Sequence, residues 1–133
     1  MKPTVLFLCI HNAGRSQMAL GWFEHLAAGR ANAYSGGTEP AAQVNPAAVA
    51  AMREVGIDIA TKTPRRWTES DLHEADVVVT MGCGDTCPYV AGTRYEDWPL
   101  DDPAGQPVEF VRRVRDEIRA RVEALLIDLL PTE

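Results

Sequence analysis

The sequence lacks any apolar run near the roughly 20 residues that a membrane-spanning helix needs. An early apolar run, residues 5–8, is too short and too poorly flanked for a secretory signal peptide. We therefore expect a cytoplasmic protein that does not act at a membrane.

Basic side chains are also scarce. The chain has 13 Lys and Arg residues against 19 Asp and Glu residues, which gives a net charge of −6. This balance argues against binding to nucleic acids or to anionic lipid surfaces. With 133 residues, of which 46% are apolar and 24% are charged, the chain fits one globular domain spanning residues 1–133.

Cysteine is rare, and its count of three is odd. In a cytoplasmic chain, Cys9, Cys83 and Cys87 are more typical of catalysis, redox chemistry or metal binding than of a disulfide framework. No histidine lies at a metal-ligand spacing from these cysteines, so we predict no metal site. A zinc half-site and inert packing remain the alternatives for Cys83 and Cys87.

Strand-like and helix-like patterns alternate along the chain. Apolar or mixed segments predict four strands, at residues 5–8, 33–35, 77–81 and 94–98. Helical spacing predicts a helix from Ser16 to a stop at Gly29, one over 47–55, a short one ending at Ala75, and a long one from Val108 to Pro131. The pattern indicates an α/β fold: a four-stranded parallel sheet flanked by helices on both faces.

The first strand leads through a short loop into the first helix. Such a loop gathers backbone N–H groups at the positive end of the helix dipole. Ala13 and Gly14 leave this backbone accessible, and the guanidinium of Arg15 matches a tetrahedral oxyanion. The loop is therefore predicted to bind phosphate, sulfate or arsenate.

The same electropositive loop favours the thiolate form of Cys9, which would make it a nucleophile below a bound oxyanion. Ser16 is expected to donate a hydrogen bond to that sulfur, and Asn12 to brace the loop from within. The alternative is that Cys9 is an ordinary buried cysteine at the end of a strand.

These residues resemble the phosphate-binding loop of the low-molecular-weight protein tyrosine phosphatase superfamily. The segments "SGGTEP", "ADVVVTMGCGDTCP", "WPLDDPAGQP" and "VRDEIRARV" extend the resemblance over nearly the whole chain. Within the superfamily the chain is most similar to arsenate reductases of the thioredoxin-coupled type. The resemblance assigns oxyanion binding to the full loop: Ile10, His11, Asn12, Ala13, Gly14, Arg15 and Ser16.

The resemblance also implies a mechanism. Asp102, which precedes a proline, would be the general acid for an arsenate adduct formed on Cys9. Cys83 would then attack Cys9, and Cys87 would attack Cys83, leaving a Cys83–Cys87 disulfide. No tightly bound cofactor is implied; electrons would come from a thioredoxin-like dithiol protein or from a thiol such as mycothiol or glutathione. Only three residues separate Cys83 from Cys87, fewer than in most thioredoxin-coupled relatives.

Two other functions fit parts of the sequence. One is a low-molecular-weight protein tyrosine phosphatase in which the extra cysteines protect Cys9. The phosphatases usually carry aromatic residues after the Asp-Pro pair, whereas Ala104-Gly105-Gln106 follows here. The other is a non-catalytic module that binds an oxyanion or a metal.

Overall fold

A computed structural model describes residues 2–82 and 88–130. Four parallel strands form one sheet in the order β2-β1-β3-β4: β1 (Thr4–Cys9), β2 (Asn32–Gly37), β3 (Val77–Thr80) and β4 (Arg94–Asp97). The predicted four-stranded parallel sheet is confirmed. Cys9 is the last residue of β1 rather than the first residue after it, because the pairing of β1 with β2 continues to Cys9 and Gly37.

The four helices are α1 (Arg15–Ala27), α2 (Pro46–Arg53), α3 (Glu69–Glu74) and α4 (Val108–Leu129). Helix α1 begins one residue earlier than predicted. It ends where Ala28 takes the left-handed conformation, with a φ of 50°. None of the helices within residues 2–82 and 88–130 combines the length and apolar character needed to cross a bilayer.

Local capping explains where two of the helices begin. The Asn45 side chain accepts a hydrogen bond from the Ala47 N–H at 2.9 Å, and Pro46 occupies the first turn of α2. Thr68 and Asp71 form a capping box in which each side chain accepts from the other residue's N–H. The two caps fix helix starts that the sequence had indicated.

Alternation along the strands divides the core between the two faces of the sheet. Phe7, Cys9 and Val79 face α1, α2 and α4 and belong to the larger hydrophobic cluster. Leu6, Leu8 and Val78 point to the opposite face, where Leu72 of α3 covers them. Helices therefore flank the sheet on both faces, as predicted, and the nucleophile predicted at Cys9 belongs to the face that α1 covers.

A cross-helix ion cluster joins α2 to α4 at the surface. Glu54, just after α2, accepts hydrogen bonds from Arg112 at 2.6 Å and from Arg115 at 2.9 Å. Arg115 also donates to the Ala51 carbonyl oxygen at 2.8 Å. The hydrogen bonds from Arg112 and Arg115 lower the pKa of Glu54 from its ordinary 4.5 to about 2.

Replacing Glu54 by Gln should therefore make the free energy of unfolding less dependent on pH in the acid range. A carboxyl whose pKa is lower in the folded protein adds stability above its unfolded pKa of 4.5 and loses that contribution as pH falls towards about 2. We expect Glu54→Gln to lower the urea midpoint at pH 7, with the difference from the parent narrowing below about pH 4.5.

The matched control is Glu117→Gln, which removes the same charge from a pair within α4, where Arg121 donates to Glu117 at 3.3 Å. Such exposed ion pairs within one helix contribute little to the free energy of unfolding. Equal pH profiles for the two variants would contradict the role of Glu54 as a link between helices.

Candidate active site

The loop between β1 and α1 has all of its carbonyl groups occupied. N–H groups of residues 38–45 donate to the carbonyl oxygens of Cys9, Ile10, His11 and Ala13 at 2.8–3.3 Å. The Gln17 side chain donates to the Asn12 oxygen at 3.1 Å, and the Met18 N–H donates to the Gly14 oxygen at 2.9 Å. Donors from residues 38–45 and from α1 thus hold the loop through its carbonyl oxygens.

Several backbone N–H groups of the loop make no hydrogen bond within the described structure. Among the residues that the structure describes, the backbone N–H groups of His11, Ala13 and Gly14 find no acceptor. These donors lie beside the N-terminus of α1, whose dipole is positive at that end. Free N–H groups at the start of a helix provide an anion-binding loop.

The sulfur of Cys9 has two hydrogen-bond partners. The Asn12 N–H donates to Cys9 Sγ at 3.2 Å, and Ser16 Oγ lies 2.9 Å from the sulfur. The cysteine is 2% exposed, so the sulfur is not surrounded by water. A backbone N–H can only donate, so the sulfur acts as an acceptor in its contact with Asn12.

Asn12 is completely buried behind this sulfur. Its backbone has a φ of 51°, in the left-handed region, which asparagine tolerates better than most residues. Its side chain donates to Ser16 Oγ at 2.7 Å and accepts from the N–H of Arg65 at 3.0 Å. Asn12 and Ser16 therefore shape the loop from within.

Arg15 is 6% exposed and lies against the segment before α4. Its guanidinium donates to the Leu100 carbonyl oxygen at 3.3 Å and lies 3.7 Å from a carboxylate oxygen of Asp102. Gly82 passes close to it with a φ of +85°, and a Cβ at position 82 would overlap the guanidinium. Glycine is thus required there by both the backbone conformation and the lack of space.

The carboxyl group of Asp102 makes a local turn and also lines the site. One carboxylate oxygen accepts from the Ala104 N–H at 3.0 Å, the local turn that a residue of this type commonly makes. The side chain is 52% exposed, and its other oxygen faces Arg15. The turn holds the carboxyl group at the edge of the site.

These residues enclose a cavity of about 40 Å³. It is lined by Cys9, His11, Ala13, Gly14, Arg15, Asn45, Asp102, Pro103 and Ala104. A space of this size holds a few atoms the size of a water oxygen, at about 10–15 Å³ each, and is far below the roughly 300 Å³ or more of sites for larger ligands. Its dimensions suit a small oxyanion.

Most of the predicted site residues come together at this cavity. Cys9, Arg15 and Asp102 line it, as do three of the other predicted oxyanion-binding residues: His11, Ala13 and Gly14. Ile10, Asn12 and Ser16 are not among the lining residues. Cys83 and Cys87 lie outside the described residues, so their part in the chemistry stays a prediction.

Sequence reasoning missed other residues of the site. Asn45, the cap of α2, also lines the cavity. Leu100 contributes through its carbonyl oxygen, and Arg65 through its backbone N–H. Backbone groups carry no signal in the sequence, because every residue other than proline offers both of them.

The chain is also anchored just after the undescribed residues 83–87. The Tyr95 hydroxyl donates to the Pro88 carbonyl oxygen at 3.0 Å and accepts from the Val90 N–H at 2.7 Å. Burial raises the pKa of Tyr95, so this hydroxyl stays protonated and able to donate. Within residues 2–82 and 88–130, no group of three His, Cys, Asp or Glu side chains is placed to hold a metal.

Known proteins are similar in sequence to this chain over most of its length. The chain is 44% identical over 127 residues to "Arsenate reductase 2" of Staphylococcus epidermidis, covering 92% of this chain and 95% of that protein. It is also similar to a solved structure of a thioredoxin-dependent arsenate reductase of Corynebacterium glutamicum, with a TM-score of 0.84 and 34% identity. That match covers 96% of this chain and 62% of the other.

A phosphatase shares the fold with lower sequence identity. A low molecular weight protein tyrosine phosphatase from T. tengcongensis superposes with a TM-score of 0.87 at 26% identity, covering 96% of this chain and 100% of that one. The family model described as "Low molecular weight phosphotyrosine protein phosphatase" matches residues 4–132. With its fold and its loop between β1 and α1, the chain belongs to the low molecular weight phosphotyrosine protein phosphatase family.

Proposed function

We propose that this chain is an arsenate reductase in which Cys9 is the nucleophile. The observation that carries the proposal is the buried sulfur of Cys9, which contacts the Asn12 N–H and Ser16 Oγ at a small cavity that Arg15 also lines. The identity of 44% to a protein named as an arsenate reductase supports arsenate as the substrate.

Arsenate binding would use the donors that the loop leaves free. The N–H groups of His11, Ala13 and Gly14 and the guanidinium of Arg15 would hold the oxygens, with arsenic above Cys9 Sγ. Holding the reactants in line in this way lowers the entropic part of the barrier. Cys9 would attack arsenic and form a sulfur–arsenic bond, while one oxygen leaves as water.

Asp102 would protonate that leaving oxygen. Its side chain lines the same cavity as Cys9 and is fixed by its turn to Ala104. Its second carboxylate oxygen lies within 3.7 Å of Arg15, so an oxyanion bound by the guanidinium would lie next to the carboxyl group. A general acid needs this kind of hydrogen-bond reach to the atom that it protonates.

Cys83 and Cys87 would then supply the electrons that reduce arsenic. The Cys83 thiolate would attack Cys9 Sγ, and the two electrons of the sulfur–arsenic bond would pass to arsenic, releasing arsenite. Cys87 would then attack Cys83, which frees Cys9 and leaves the Cys83–Cys87 disulfide. A cytoplasmic thioredoxin-like dithiol protein would reduce that disulfide. The alternative donor, a thiol such as mycothiol or glutathione, would instead attack the Cys9 adduct directly.

Cys9→Ser should abolish arsenate reduction. The hydroxyl is a far weaker nucleophile, so we expect at least about a thousandfold loss of turnover. The measurement is arsenate-dependent oxidation of NADPH in the presence of thioredoxin and thioredoxin reductase. Thermal unfolding of the variant serves as the control for folding, and unchanged turnover in a folded variant would end the proposal.

Cys83→Ser and Cys87→Ser should stop the reaction at different species. With one equivalent of arsenate, Cys87→Ser should release arsenite once and accumulate a Cys9–Cys83 disulfide. Cys83→Ser should release none and stop at the Cys9 adduct. Peptide mapping by mass spectrometry after a single turnover separates these products, and each variant is the control for the other.

Continued cycling of Cys83→Ser with thioredoxin would contradict this relay. Cycling only with a low-molecular-weight thiol would instead indicate direct attack of that thiol on the Cys9 adduct.

A second candidate function is phosphatase activity, favoured by the family and by the structural match to a tyrosine phosphatase. Exposed Ala104 lines the cavity directly after Pro103, and it offers no aromatic surface for a phosphotyrosine ring. We expect slow hydrolysis of p-nitrophenyl phosphate beside efficient arsenate reduction. Fast hydrolysis, with arsenate reduction absent from the wild type and from Cys83→Ser, would favour the phosphatase.

A further inference from the structure

A chain of hydrogen bonds leads from Cys9 to a partly buried ion pair between Arg65 and Asp71. Ser16 Oγ contacts the sulfur, the Asn12 side chain donates to Ser16, and the backbone N–H of Arg65 donates to Asn12 Oδ1. The Arg65 guanidinium donates to Asp71 at 2.7 Å. Asp71 is outside the cavity, in the first turn of α3, on the opposite face of the sheet.

The direction of each bond follows from the fixed donor at one end. A backbone N–H can only donate, so the atom of Asn12 that faces Arg65 must be the amide oxygen. The amide nitrogen of Asn12 must then face Ser16, and it can only donate to Ser16 Oγ. The hydroxyl proton of Ser16 is thereby left for Cys9 Sγ, 2.9 Å away.

The orientation of the Asn12 amide therefore decides whether Ser16 is a donor or an acceptor towards Cys9. Gln17 Nε2 also donates to Asn12 Oδ1, at 3.2 Å, and its orientation is held by a second bond to the Asn12 carbonyl oxygen, at 3.1 Å. The N–H of Arg65 is the donor to Asn12 Oδ1 that comes from a distant segment of the chain, 53 positions away.

The position of that N–H depends on the Arg65 side chain. Its guanidinium bridges the Ser35 carbonyl oxygen of β2, at 2.8 Å, and Asp71 of α3. Asp71 is only 8% exposed and also accepts from the Thr68 N–H, so it is a fixed anchor. The Arg65 side chain thus holds its own backbone against the loop.

We propose that Arg65, anchored by Asp71, is a positioning residue for the nucleophile, because it fixes the Asn12 amide and so makes Ser16 a donor to Cys9. The proposal rests on the role of Cys9 as the nucleophile in the proposed function. It concerns the reactivity of the sulfur, which can be measured without arsenate.

Other charged groups near Cys9 stay constant in the test. Arg15 from α1, His11 from the loop and Asp102 from the segment before α4 all line the same cavity. None of them contacts Arg65 through a hydrogen bond or an ion pair in the described part of the chain. A change at Arg65 therefore leaves these groups in place.

The experiment follows alkylation of Cys9 by iodoacetamide between pH 5 and 9. Cys83→Ser and Cys87→Ser are combined to leave Cys9 as the only cysteine, since the chain has three. Added to this parent, Arg65→Met should slow alkylation at pH 6 about threefold to tenfold, as expected for weakening one hydrogen bond to a charged group. The rates should converge at pH 9, and Arg65→Lys should recover part of the loss.

Arg66→Met is the matched control. Arg66 is the next residue, and its guanidinium also donates to a backbone carbonyl oxygen, that of Thr38, at 2.8 Å. It has no bond to Asn12, so its alkylation profile should coincide with that of the parent. The Gly37 N–H donates to the Arg65 carbonyl oxygen at 2.8 Å, so either variant keeps this segment attached to β2, and Arg65→Met removes only the side-chain anchors that orient the N–H of residue 65.

A double-mutant cycle tests the route through Asn12. Glycine accepts the left-handed backbone at this position, so Asn12→Gly removes the amide with little strain. In that background Arg65→Met should cause no further slowing. The proposal is overturned if Arg65→Met behaves like Arg66→Met, or if its effect persists without Asn12. Alkylation of Cys9 does not require arsenate. This test can therefore succeed or fail independently of whether the protein reduces arsenate.

Discussion

The six carbonyl groups of residues 9–14 all accept hydrogen bonds from other parts of the chain, and this constraint gives the loop its chemistry. A loop of this length with free carbonyl groups would present partial negative charge to its own cavity. Because residues 38–45, Gln17 and α1 occupy the acceptors, only donors remain for a ligand. The proposed preference of the loop for an anion would thus depend on bonds made outside the site.

The same constraint explains why much of the fold was predictable and part of the site was not. Apolar strands, the Asn45 cap and the spacing of α4 are local patterns, and each predicted element was found within a few residues of its expected bounds. Cys9, Arg15 and Asp102 meet because parallel strands place their following loops at one edge. Arg65 reaches the loop across 53 positions through a backbone N–H, and no side-chain pattern marks that contact.

Arg15 and Asp102 carry opposite charges at the edge of the proposed oxyanion site. Their charged groups lie 3.7 Å apart, beyond direct hydrogen-bond distance, so the Arg15 guanidinium can exchange Asp102 for another anionic partner. An oxyanion would replace the carboxylate as the partner of the guanidinium. The bound oxyanion would then lie next to the Asp102 carboxyl group, within the reach that a general acid needs.

The two faces of the sheet carry separate hydrophobic clusters, and described residues before and after positions 83–87 belong to different ones. Cys9 belongs to the cluster under α1, α2 and α4, and so does Met81, which follows β3. Val90 and Tyr95, which come after Cys87 in the sequence, pack against the cluster on the other face. In the proposed relay, moving the disulfide from the Cys9–Cys83 pair to the Cys83–Cys87 pair would return Cys9 to its reduced form. The anion loop could then bind again before a protein donor restores the last two thiols.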